Sequence, residues 1–238
     1  MDNLLLFFLV VKCSLACVFL GYASSSDISR RLVSNRVWLY FAPLAAFVAI
    51  LETTVLGYSM FWLLAGFIIP ALFALGVYFL GGFGGADFKC LVCLGLLFPF
   101  VPGFEVVGFV FFVFTVGAFL CVFVEGSCNL IRNFVSWRRD GFLFSYSVPW
   151  YIRLQVVFDY CMVKLSLVDG LFYLPMQNFE GRFDFRKSDV AVTDKINALN
   201  TWCCDGDAKV WAYDVPALIP YFTLGFLFTF FVFLAFAL

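Results

Sequence analysis

The chain has 238 residues, of which 64% are hydrophobic and only 13% charged, and its formal net charge is −1. A soluble domain averages about half apolar and a quarter charged residues, so this surplus reads as an integral membrane protein, and the small net charge implies no nucleic-acid partner. There is no histidine, which excludes Ser-His-Asp triads, Cys-His pairs and HExxH zinc sites and leaves carboxylates or lysine for acid–base chemistry.

A spanning helix needs about 20 mostly apolar residues. Six candidates follow in chain order: 4–23, 36–52, 55–80, 88–102, 106–124 and 215–238. The first is preceded by "MDN", with no positive side chain, and no A-x-A cleavage pattern follows it, so it reads as a helix rather than a signal peptide. Lys12 lies inside it, where snorkelling toward the outer face and no function are expected. Fourteen of the fifteen basic residues fall in 26–36, 81–89 and 125–214, whereas the opposite connections offer only Asp2, Glu52 and Glu105. The positive-inside rule therefore puts those three segments in the cytoplasm and both termini outside, in the cell membrane.

The expected fold is an all-α polytopic bundle of about six transmembrane helices, with a small cytoplasmic α+β segment before the last helix. Its parts are 1–124, carrying helices one to five, then 125–214 in the cytoplasm, then 215–238. The cytoplasmic part opens on "EGSCNLIRNFVSWRRDGF", a helix end running into a basic, aromatic stretch. Short alternating runs in "FEGRFDFRKSDVAVTD" and "AKVWAYDVP" suggest strands. The nine cysteines lie mostly in apolar runs and read as small buried hydrophobes. Cys90 and Cys93 stand one turn apart with no second pair to face them, so no metal is expected.

Between the third and fourth spans lies "GGFGGADFK", Gly81 to Lys89. Asp87 stands at the cytoplasmic start of the fourth span, and Asp27, in "SSSDISRRLVSN", at the cytoplasmic end of the first. Ionisable groups beside hydrocarbon are costly and are functional suspects by default. Two carboxylates sharing one proton supply a general base for water and an acid for a scissile carbonyl, without histidine. The plainer readings are a glycine-rich turn and a capping aspartate at a helix start. A phosphate-binding loop is disfavoured, because the stretch ends G-A-D-F-K rather than G-K-[ST].

At these residues the chain resembles the archaeal prepilin and preflagellin (prearchaellin) peptidases, which are intramembrane aspartyl proteases of the GxGD type. One motif is "DISRRLVSNRVW", with Asp27 followed by Arg31, Asn35 and Trp38 at four, eight and eleven residues. The other is Gly84, Gly85, Ala86, Asp87 and Lys89, where Ala86 departs from a strict GxGD. A third, weaker likeness is the Pro-x-x-x-Pro segment that leads into the last helix from Pro216. The resemblance implies cleavage of archaellin or type IV pilin-like precursors after a short basic leader at the cytoplasmic face. Asp27 and Asp87 would be the catalytic pair, and no cofactor would be required.

Lys89 then acts on the aspartates or anchors the loop. Arg31 has the same two readings, with anchoring favoured, and Asn35 caps the second helix or hydrogen-bonds near the site. The rival reading is a proton- or ion-coupled transporter with Asp27 and Asp87 as pathway carboxylates. Such groups would be expected near mid-helix and at repeat-related positions, and the two halves do not read as repeats.

Overall fold

The computed structural model describes residues 3–79, 84–99, 101, 108–140, 156–158, 160–168, 173–175, 209–214 and 216–237. The glycines at 81 and 82 and the strand expected within 179–194 lie outside the described residues. The helices are α1 (Asn3–Arg30), α2 (Asn35–Leu56), α3 (Met60–Phe79), α4 (Gly85–Leu97), α5 (Gly108–Asp140) and α6 (Leu218–Ala237). Five of them are long and apolar enough to cross a membrane. The exception is α4, whose 13 residues reach only about 20 Å at 1.5 Å each, against a hydrocarbon core of roughly 30 Å. Large apolar side chains such as Val18, Phe79 and Phe231 stand more than two-thirds exposed, the surface expected of a multi-pass membrane protein rather than of a soluble one.

Hydropathy places the helices but not their ends. α1 runs seven residues beyond the apolar stretch, through serines that bond locally: Ser29 Oγ donates to the Ser25 carbonyl at 2.7 Å. It stops where Arg31 turns left-handed (φ 52°) and its N–H reaches the Asp27 carbonyl at 2.9 Å. α2 ends on Gly57, whose φ of 70° suits glycine and whose N–H closes on the Thr53 carbonyl. α5 likewise continues sixteen residues past its expected end at 124.

The chain divides into two compact units, Met1–Leu120 with Ala217–Leu238, and Cys121–Pro216. In the first, buried residues of α1 (Leu9, Ala16, Leu20, Ala23), α2 (Phe41, Ala45), α4 (Leu91, Leu94, Leu97) and α6 (Phe222, Phe226) form one core. Of the contacts that need glycine, two are the tightest. A Cβ on Gly66 of α3 would lie 2.4 Å from the Pro99 Cα, and one on Gly225 of α6 would lie 2.5 Å from the Val113 carbonyl oxygen of α5. Small residues let helix backbones approach this closely in a membrane, and here they seat the end of α4 on α3 and α6 on α5.

Lys12 does not snorkel. Its Nζ donates to Glu52 Oε2 at 2.7 Å, the two side chains are 1% and 4% exposed, and the ammonium lies 5.2 Å from the centre of the Phe98 ring. Glu52 belongs to α2 and not to an outer connection. An opposite charge within reach and an aromatic face outcompete the distant interface, and breaking such a buried pair costs about 3–5 kcal/mol.

The second unit carries a three-stranded antiparallel sheet of order β1-β3-β2, from β1 (Tyr160–Lys164), β2 (Tyr173–Pro175) and β3 (Lys209–Asp214). Tyr160 pairs with Tyr213 and Leu174 with Tyr213 across it. β3 is the strand expected in "AKVWAYDVP". Asn129 and Asn133, one turn apart on α5, donate to the Phe158 carbonyl at 3.1 Å and the Tyr160 carbonyl at 2.7 Å.

Candidate active site

Asp27 sits in the last turn of α1, 9% exposed. Its Oδ2 accepts the backbone N–H of Ile219 at 3.3 Å, in the first turn of α6, where N–H groups lack helical partners. A second tie joins the same helices, for Ser24 and Thr223 share a hydroxyl–hydroxyl bond of 2.7 Å. The "PALIP" stretch therefore reaches the site through the Ile219 backbone. Pro216 itself lies with Tyr213, Phe158, Asn129 and Gly126 around a cavity of about 230 Å³ in the second unit.

Asp87 is the third residue of α4 and is also 9% exposed. Its Oδ2 reaches back to the Gly84 N–H at 2.9 Å, so the capping reading is met by half of a capping box, made by the carboxylate on the residue that starts the helix. Gly84 is extended (φ −77°, ψ 165°), a conformation open to any residue. What it spares is space, because a Cβ there would lie 3.2 Å from Asp87 Oδ2, whereas one on Gly85 would meet nothing within 4 Å. Ala86 lies in ordinary helix, so the departure from GxGD carries no backbone strain.

The two aspartates come from opposite ends of different helices and lie within electrostatic reach of one another. Cys90, one turn beyond Asp87 and fully buried, is within reach of both. Arg31 acts on Asp27 through space, and as the left-handed residue that closes α1 it also fixes the turn. Asn35 is not the cap of α2, because Ser34 holds that position and accepts the Arg36 N–H at 3.3 Å. Asn35 Oδ1 instead accepts Lys89 Nζ at 2.6 Å. Lys89 thus ties α4 to α2 near Asp87, which favours its anchoring reading. The residues that sequence reasoning missed are Ile219, Ser24 and Thr223. The serine run at 24–26 next to Asp27 was the available signal, and nothing local marked its partner some 190 residues away.

The chain is thus a multi-pass helical membrane protein with one buried carboxylate at the end of its first helix and another at the start of a short helix. Residues 14–123 match the model of the type IV leader peptidase family, Peptidase_A24, consistent with a prepilin or preflagellin peptidase. The match runs from α1 into α5 and takes in Asp27, Asp87 and every other candidate except Pro216. It supports a leader peptidase. No curated protein matches the chain.

Proposed function

We propose that the chain is an aspartic endopeptidase that removes the short basic leader from archaellin or type IV pilin-like precursors at the cytoplasmic face. The observation that carries this reading is the pair itself: Asp27 and Asp87, each 9% exposed, within electrostatic reach, each with Oδ2 held by a backbone N–H at a helix start. Among the described residues no hydrogen bond is made by either Oδ1, which leaves these atoms for water or substrate. The two share one proton. The ionised carboxylate takes a proton from water as its oxygen attacks the scissile carbonyl carbon, and the protonated one hydrogen-bonds the carbonyl oxygen. Collapse of the tetrahedral intermediate breaks the C–N bond, and the departing nitrogen takes up the proton that the base carboxylate drew from water. The pair titrates as a unit, so base and acid are not assigned to one residue each. The basic residues Arg31, Arg36 and Lys89, in the segments that hold the two aspartates, support a cytoplasmic site with both termini outside.

The test is cleavage of a prepilin or prearchaellin by membranes holding wild type, Asp27→Asn or Asp87→Asn. Wild type should cleave, and each variant, at equal protein level, should not. Asparagine keeps an acceptor for Ile219 or Gly84, so the fold should be retained. Full activity in either variant sinks the dyad, and a wild type inert on several leaders returns the two carboxylates to the transporter reading.

A further inference from the structure

Lys12 and Glu52 lie far from the proposed chemistry. Lys12 precedes Asp27 by fifteen residues on α1, about 22 Å along the axis, and Glu52 follows Asn35 by seventeen on α2, about 26 Å. Their bond of 2.7 Å joins the two helices across 40 residues of chain. The Lys12 ammonium also faces the ring of Phe98, the residue that ends α4. The pair thus touches the helix that bears Asp27, the helix that bears Asn35 and the end of the helix that bears Asp87.

Near the pair the two helices bury small residues, Ala16 and Ala23 of α1 and Ala45 and Ala49 of α2, which let helices close up but resist sliding weakly. Phe19 stacked on Phe41, at 4.6 Å between ring centres, is an apolar contact across the same seam, and the ion pair adds a polar one. A slip by one turn would carry Asp27 about 5.4 Å past its neighbours. A buried ion pair gives little net stability over apolar residues of similar volume, and its best-attested use is to fix registry. α4, with only 13 residues, is held at both ends, by Lys89 on Asn35 and by Phe98 on Lys12.

We propose that Lys12 and Glu52 are a positioning pair, setting the axial registry of α1 and α4 against α2 so that Asp27 and Asp87 meet at one level. This rests on the peptidase reading, and neither residue touches the reacting atoms. The test is the double apolar variant Lys12→Met/Glu52→Leu, purified beside wild type, with its melting temperature measured and with kcat and KM for precursor cleavage determined per folded enzyme. The expected result is a melting temperature at or above that of wild type, with kcat lowered about 100-fold, since about 1 Å of misplacement costs that much, and KM changed less than about 3-fold. Lys12→Met alone strands a buried carboxylate and should lower both the melting temperature and kcat.

A double variant that melts as wild type does and keeps its kcat overturns the inference. One that fails to fold, or melts well below wild type, makes the pair a stability element and overturns it too. The wild-type control separates the two readings: wild type that cleaves nothing sinks the peptidase reading and this inference with it. Cleavage by wild type, with an equally active double variant, sinks this inference alone.

Discussion

The Asp27 carboxylate accepts the backbone N–H of Ile219 at 3.3 Å, across 192 residues of chain. The last helix therefore holds the orientation of a carboxylate on the first. Ile219→Pro removes that donor, since proline is tolerated in the first turn of a helix. It also replaces a wholly buried core side chain, so Ile219→Val, which keeps the N–H, is the packing control. Cleavage by Ile219→Pro should fall about 10- to 100-fold with insertion unchanged. Wild-type kinetics in a well-folded Ile219→Pro protein would show that the contact does not matter.

At Gly84, the 3.2 Å between an added Cβ and Asp87 Oδ2 is tight enough to displace the carboxylate by a few tenths of an ångström. Gly84→Ala should leave stability within about 1 kcal/mol, because its φ and ψ suit alanine, but lower kcat about 10-fold. Gly85→Ala, with open space around it, should lose less. The order of the two kcat values is the measurement, and a reversed order would refute the steric account.

Lys89 and Asn35 share a hydrogen bond of 2.6 Å between α4 and α2. In a double-mutant cycle of Lys89→Met and Asn35→Ala, the second change should cost little once the first is made. A coupling of about 0.5–1.5 kcal/mol in unfolding or in kcat/KM is expected. Strict additivity would mean that the two residues act separately.

The pH profile follows from a shared proton. On the acid side the base becomes protonated and cleavage falls. On the alkaline side the second carboxylate ionises, the acid is lost and cleavage falls again. A bell with one proton on each limb is expected from rates measured across the range at fixed ionic strength. A profile without an acid limb would argue against a carboxylate base.

Gly66 faces backbone, with 2.4 Å from an added Cβ to the Pro99 Cα. Gly66→Ala should destabilise the bundle by about 1–3 kcal/mol, because α3 and the end of α4 must part. Thermal unfolding in detergent reads this directly, and an unchanged melting temperature would mean that the helices separate freely there.

Much of the bundle was legible in composition alone, since long apolar runs have few places to go but a bilayer, and those runs located α1, α2, α3, α5 and α6. The ends were not, because hydropathy reports the solvent and not the backbone: serines extend α1 to Arg30, and α5 continues into polar sequence as far as Asp140. The two aspartates stood out because a charge beside an apolar run is expensive wherever the chain goes. Their neighbours were decided by tertiary structure. Asp27 found an unpaired N–H at the start of α6, Lys89 found Asn35 while Ser34 took the cap, and Lys12 found Glu52 in preference to the membrane surface. Each depends on which helix packs beside which. A local pattern carries the cost of burying a charge, but only the packed helices supply the partner that offsets it.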